Sequence, residues 1–144
     1  MWLPQMKLLC FQAKSFRWKT HAKTLPRALD QEIDREVAEA LVVFVHAEAS
    51  DAADERHASV MRQSIKHIKW LANKRELRNI VLHSFTHLGG ETAAPEFAES
   101  FLETAAARLR ETGYQVWLTP FGYLCEWELS VYGESLAKVW KKIH

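Results

Sequence analysis

With 144 residues, 48% of them hydrophobic and 26% charged, the chain has the balance of an ordinary globular protein and is long enough to bury roughly two-thirds of its unfolded surface as one domain. Lys plus Arg number 19 against 18 acids, so the net charge of +1 excludes the strongly basic signature of a general nucleic-acid binder and leaves only local patches for that purpose. Two cysteines, Cys10 and Cys125, exclude a disulfide framework and a cysteine-based zinc site and fit a reducing, cytoplasmic setting.

No apolar run approaches the roughly 18 residues that cross a bilayer. Pro4, Gln5 and Lys7 interrupt the apolar core that a signal peptide would need. Residues 1–144 are therefore expected to form one domain with no membrane partner, metal or cofactor, Met1–Gln5 reading as a short extension ahead of a start at Met6.

In chain order, Met6–Phe11 is a short apolar run, and Phe16 and Trp18 alternate with Arg17 and Lys19 after it, which predicts two strands joined by a turn near Ala13-Lys14-Ser15. Thr20–Glu39 is polar and broken at Pro26, with one or two helical turns expected over Asp30–Ala38. Ala40–Ala47 is rich in β-branched and apolar residues and too short for an ordinary helix, so it is read as a buried central strand. Ser50–Asp54 is small and acidic, as suits a loop ending in a helix cap.

Ala58, Met61, Ile65, Ile68 and Leu71 recur at spacings of three and four, which predicts an amphipathic helix over 55–76. Asn79–Phe85 reads as a strand parallel to the earlier one, because a whole helix separates them. Pro95 suits the first turn of a second helix, Phe97, Phe101, Leu102, Ala105 and Leu109 form its apolar face, and Gly113 stops it. Tyr114–Thr119 and Tyr123–Tyr132 follow as strands around a turn at Pro120-Phe121-Gly122, and Glu134–Ile143 is expected to close as a short helix. The expected architecture is an α/β fold, a mixed β-sheet with helices packed on it. A half-exposed sheet face carrying Trp127, Leu129 and Val131 offers a surface for a second copy.

Two stretches stand where strand-like runs give way to turn-forming residues: His83–Glu91 and Pro120–Cys125. Open α/β sheets place their binding crevices at such points.

Those same stretches carry a family resemblance. His87-Leu88-Gly89-Gly90-Glu91-Thr92-Ala93-Ala94-Pro95 resembles the HLSSELAKP-type segment of the N-terminal editing domain of archaeal threonyl-tRNA synthetases. Pro120-Phe121-Gly122-Tyr123 is similar to that domain's PFGY turn, and Gly133-Glu134-Ser135-Leu136-Ala137 to its GxPLAE-type closing segment. The spacing agrees, as do Met6-Lys7-Leu8-Leu9 and Leu41–Val45 with the domain's first and central strands, so the resemblance covers nearly the whole chain from Met6.

The resemblance implies a D-aminoacyl-tRNA deacylase-like fold, usually dimeric, and a proofreading activity: hydrolysis of the ester joining wrongly attached serine to the 3′ adenosine of threonine tRNA. The implied partners are tRNA, a second copy and, because the chain ends at His144, a threonyl-tRNA synthetase acting in trans on a freestanding factor or isolated domain. Members of the family follow PFGY with Tyr-Lys, where Leu124 and Cys125 stand here; they end the closing segment in an acid, where Lys138 stands; and Gln12-Ala13-Lys14 replaces an early His-Ser-Asp-type segment. An activity with shifted specificity is one expectation, and a noncatalytic tRNA- or synthetase-binding module is the other.

An aminoacyl ester is already activated, so a deacylase must mainly hold a water, donate hydrogen bonds to the developing oxyanion and exclude other substrates. His87 is the first candidate to orient that water or act as a weak base, against a plain role in packing the strand end. His83, inside the strand four residues earlier, is the weaker histidine candidate; His21, His46, His57, His67 and His144 read as structural or solvated. Cys125 is expected either as a nucleophile, if Lys138 approaches and lowers its pKa, or as a small apolar filler where relatives carry lysine.

Phe121, Gly122 and Tyr123 are expected to shape the pocket, glycine by letting backbone approach a ligand and the aromatics by stacking on the terminal adenine, against a plain hairpin turn. Glu48 is a candidate for the amino group of an aminoacyl substrate, or else a solvated strand end. Lys14, Arg17, Lys19, His21, Lys23 and Arg27 form the densest basic cluster, with Lys138, Lys141 and Lys142 as a second, and both suit either phosphate contacts or solvated faces.

Overall fold

The computed structural model describes residues 6–48, 54–85 and 92–144. Its first element, β1 (Met6–Lys23), is a single strand of 18 residues, where the local pattern pointed to two strands and a turn. The reason is its neighbour: β2 (Asp34–His46) runs antiparallel beside it from Lys7↔His46 to Lys19↔Asp34. The turn-like residues mark an irregularity within the strand. The register of β1 against β5 (Tyr123–Val131) slips between Ala13 and Ser15. Glu39 of β2, between the partners of those two residues, adopts φ 50°. Ala13 and Phe16 consequently reach the same apolar cluster although three residues apart, which strict strand alternation forbids.

The helical turn expected over Asp30–Ala38 is also absent, because β2 begins at Asp34. Val37 packs with Phe16 and Trp18, and Arg17 donates from Nε and Nη2 to the Asp34 carboxylate at 2.9 and 2.7 Å. Long-range pairing here outweighs a weak local preference. The expected central strand is the second half of β2.

The middle of the chain forms as its periodicity predicts. Helix α1 (Asp54–Asn73) leads to β3 (Asn79–Ser84), and α2 (Pro95–Glu111), with Pro95 in its first turn, leads to β4 (Gln115–Leu118). Strand β3 pairs parallel with both β2 and β4. Both helices lie on one face of the sheet: Met61, Ile68 and Leu71 of α1 and Phe101 and Leu109 of α2 share a cluster with Leu8, Leu41, Val43 and Ile80 of the strands. Each such aliphatic or aromatic side chain contributes about 1.5–3 kcal/mol by leaving water. Phe16, Trp18, Val42 and Phe44 gather on the opposite face.

The last expected element is corrected as well. Glu134–Ile143 is not a helix but a short 3-10 turn at Ser135–Ala137 followed by β6 (Lys138–Ile143), which pairs antiparallel with Met6–Phe11. The edge of β1 beyond the reach of β5 would otherwise present unpaired backbone groups, and Ile143 is fully buried there. The strand order is β4-β3-β2-β1-β5, with β6 on the same edge of β1 as β5.

Two glycines hold left-handed backbone at ends of elements. Gly113, after α2, has φ 98° and open space where a Cβ would stand. Gly122, in the turn before β5, has φ 81°, and a Cβ there would lie 3.1 Å from Ala28 Cβ and 3.2 Å from Leu25 Cβ. Its carbonyl accepts from the amides of Thr24, at 2.7 Å, and Leu25, at 3.3 Å. Gly113→Ala is expected to cost about 1–2 kcal/mol from backbone strain alone, and Gly122→Ala measurably more because the 24–28 loop must also move. Urea unfolding of the two variants checks this, and equal costs would contradict the tight packing of the turn.

Candidate functional site

The carboxyl ends of the parallel strands β3 and β4 open into a crevice of about 510 Å³. Its floor carries His83 and Ser84 from the end of β3 and Thr119 from the end of β4. One wall is the 120–123 turn with Leu124, Cys125 and Trp127 of β5. The other is formed by Thr92, Ala93, Pro95 and Ala98 around the start of α2, and Thr24 and Leu25 complete the rim. Backbone contacts fix these segments: Phe85 N donates to Val45 O and Ala93 N to Ala47 O, both at 2.9 Å, while Thr119 N reaches Leu82 O at 3.2 Å.

Every described lining residue is uncharged or, for His83, held uncharged. His83 is 7% exposed, its Nδ1 lies 2.8 Å from Thr119 Oγ1, and its ring stands 5.1 Å from Phe44 and 6.3 Å from Phe85. Burial pushes its pKa down to about 4 because the imidazolium would lose its hydration. Near neutral pH it is therefore a neutral hydrogen-bonding group.

The sequence-derived candidates fare unequally. His87, with Leu88–Glu91, lies outside the described residues. Phe121, Gly122, Tyr123 and Cys125 all line the crevice. The Tyr123 hydroxyl is committed to the neighbouring loop, donating to Leu29 O at 2.5 Å and accepting from Gln31 N at 3.1 Å, so it is the ring that a ligand would meet.

The expected approach of Lys138 to Cys125 does not occur. Cys125 pairs with Thr20 and Lys138 with Phe11, and nine residues of extended strand span on the order of 30 Å. The predicted closing helix, which would have carried the lysine inward, is a strand at the far end of the same edge. Partial burial raises the Cys125 thiol pKa above its ordinary value, the reverse of what a nucleophile needs.

Glu48 is fully buried and does not line the crevice. Its carboxylate pairs with Lys7, itself buried, and His46 Nε2 lies 3.3 Å from the same oxygen. A bridge to Thr92 joins its backbone to the segment entering α2. Glu48 is thus neither a solvated strand end nor an open anionic site.

The first basic cluster is largely self-neutralised: Arg17 pairs with Asp34, Lys23 with Asp30 at 2.7 Å and Arg27 with Glu99 at 3.2 Å. Lys14 lies 5.7 Å from the centre of the Tyr132 ring. No group of three or more His, Cys, Asp or Glu side chains among the described residues is arranged to hold a metal ion. No helix among them is long and apolar enough to cross a membrane.

The residues that motif reading passed over are Thr119 and, in large part, His83. Their meeting was encoded in the parallel register: Leu82↔Leu118 is the last pair of β3 with β4, so the next residues of each strand are His83 and Thr119. A reading confined to each strand alone does not reveal that register.

A mixed sheet with two helices on one face and a crevice at its parallel strand ends defines a D-aminoacyl-tRNA deacylase-like fold. A solved chain described as a probable eukaryotic D-amino acid tRNA deacylase superposes with a TM-score of 0.59 at 12% identity, covering 96% of this chain and 98% of its own. Another, described as the c-Myc DNA unwinding element binding protein, superposes with a TM-score of 0.63 at 12% identity, covering 94% of this chain and 97% of its own.

Residues 6–143 match the archaea-specific editing domain of threonyl-tRNA synthetase, and the chain belongs to that family. Similar curated proteins include the threonine–tRNA ligases of Methanosphaerula palustris, 31% identical over 139 residues, and Methanosphaera stadtmanae, 30% identical over 143 residues. In both cases the match covers 96% of this chain and 22% of the relative, so the chain spans about a fifth of their length.

Two expectations follow from the electrostatics. Iodoacetamide should label Cys125 in folded protein at pH 7 more slowly than free cysteine, with the rate rising about tenfold per pH unit beyond the range where an ordinary thiol levels off; rapid labelling at pH 7 would contradict the raised thiol pKa. Lys7→Met, which leaves the Glu48 carboxylate buried without its lysine, should cost about 3 kcal/mol in urea unfolding, and adding Glu48→Leu should recover most of that loss.

Proposed function

We propose that this domain is an aminoacyl-tRNA deacylase that hydrolyses the ester of mischarged tRNA, with serine on threonine tRNA as the foremost substrate. The carrying observation is the crevice of about 510 Å³ at the ends of β3 and β4, whose described lining residues are uncharged, in a chain of the editing-domain family. Such a volume admits one amino acid and part of a terminal nucleoside. The rings of Phe121, Tyr123 and Trp127 give the adenine flat surfaces to stack on.

In the reaction, water adds to the ester carbonyl carbon, the C–O bond to the ribose breaks, and the departing 3′-oxygen takes a proton. Ser84, Thr92 and Thr119 supply hydroxyl groups around the crevice that can hold the water and the carbonyl oxygen in place. With no charged side chain among the described lining residues, the neighbouring ribose hydroxyl of the substrate is the natural relay for the proton. His87 remains the proposed partner of the water. The tRNA 3′ end is the proposed ligand, the cytoplasm the proposed location, and a synthetase acting in trans the proposed co-partner. The half-buried strip of Leu129 and Val131 with Trp127, which is 42% exposed, is the proposed contact between two copies.

A second reading, a noncatalytic tRNA- or synthetase-binding module, draws on the separation of Lys138 from Cys125 and on the raised thiol pKa. Incubation with Ser-tRNA(Thr), Thr-tRNA(Thr) and a D-aminoacyl-tRNA decides between them. The expected result is loss of the seryl ester at least about tenfold faster than the threonyl ester, because one additional methyl group in a fitted pocket discriminates on that scale. No ester loss above buffer for any substrate would sink the deacylase reading, and salt-sensitive tRNA binding without turnover would establish the second.

A further inference from the structure

We propose that His83, held by Thr119, is the specificity-determining residue of the crevice and recognises a hydroxyl group on the side chain of the esterified amino acid. This rests on the deacylase reading and deepens it.

Three features of the floor carry the inference. First, the ring is held in place: Nδ1 is engaged by Thr119 Oγ1 at 2.8 Å, and the rings of Phe44 and Phe85 pack against it with centroids 5.1 and 6.3 Å away. Nε2 has no hydrogen-bond partner among the described residues and is the ring atom left for whatever fills the crevice. Second, depth sorts the substrate. His83 is 7% exposed whereas Leu124 at the wall is 54% exposed, so a small amino-acid side chain reaches the floor and the bulky adenine stays among the outer aromatics. Third, the described lining residues carry no charge. A neutral imidazole with no carboxylate among them has little to offer an ammonium group, but it forms a good hydrogen bond to a hydroxyl in a partly apolar floor.

A role for His83 as the base that activates water fits the same features less well. A ring whose pKa is pushed down to about 4 accepts a proton poorly at neutral pH. Recognition of a hydroxyl asks only for a fixed lone pair or N–H. Thr119 acts through His83 and is a positioning residue: its hydroxyl, bonded to Nδ1, keeps the ring from turning.

The test uses two stable amides, 3′-deoxy-3′-(seryl)aminoadenosine and its alanyl counterpart, which differ by one hydroxyl, with binding measured by titration calorimetry. The seryl amide should bind about tenfold more tightly, the scale of one net hydrogen bond. His83→Phe, which keeps a flat ring in the same space, should bring the seryl affinity down to the alanyl value and change the alanyl affinity by less than about twofold. Thr119→Val should lower the seryl-to-alanyl ratio and Thr119→Ser should preserve it, which decides the matter even where the histidine variant does not fold.

Equal binding of the two amides by the unmodified protein, no binding of either, or parallel weakening of both in the variants would overturn the assignment. Hydrolysis of Ser-tRNA(Thr), measured in parallel, separates the two claims. A hydroxyl-dependent affinity without ester loss overturns the deacylase reading and upholds His83; ester loss with no hydroxyl dependence does the opposite.

Discussion

Strand β1 has two edges and three partners, and the rest of the molecule is placed by how they share it. One edge is covered by β2; the other is divided between β6 over Met6–Phe11 and β5 from Ala13 onward. Because backbone groups in a sheet interior must find partners, the length of β1 decides how far β2 extends, where β5 starts and why the last residues are strand. The crevice follows from this division. Strand β5 reaches the chain-reversing turn at Gly122 only because its register carries it to Lys23, and there the turn closes over the ends of β3 and β4.

Charge is handled in one manner throughout. The described crevice lining carries none, the buried Lys7 and Glu48 neutralise each other beneath the sheet's end, and the surface Arg17 and Arg27 are matched by acids. A neutral pocket suits an ester, whose reaction needs oriented dipoles more than fixed charge.

Local pattern made the middle of the molecule legible. The stripe from Ala58 to Leu71, the bounds set by Pro95 and Gly113, and the short β-branched runs at 40–47 and 79–85 each record a requirement met within a few residues. What stayed hidden depended on partners far away in sequence. Asp34–Ala38 is strand because Phe16 and Trp18 need Val37; Ala13-Lys14-Ser15 bulges where a turn was expected; and Lys138–Ile143 extends because β1 has an open edge. The site divides likewise. Motifs located the crevice and its aromatic wall, but the meeting of His83 with Thr119 is a fact of strand register, and Glu48 looked available only until its lysine was seen.

The pairing of Met6 with Ile143 also has a consequence in time. A ribosome adding roughly 5–20 residues per second makes the first strand about 7–27 s before the segment that completes its edge. During that interval the apolar flank of Met6, Leu8 and Cys10 can find β2 but not β6. Long-range closure of this kind slows folding relative to helical proteins of equal stability, and it leaves an unfinished sheet edge open to other chains. The most newly made residues of the domain are thus the ones that seal its oldest, and its safety from aggregation depends on the wait being short.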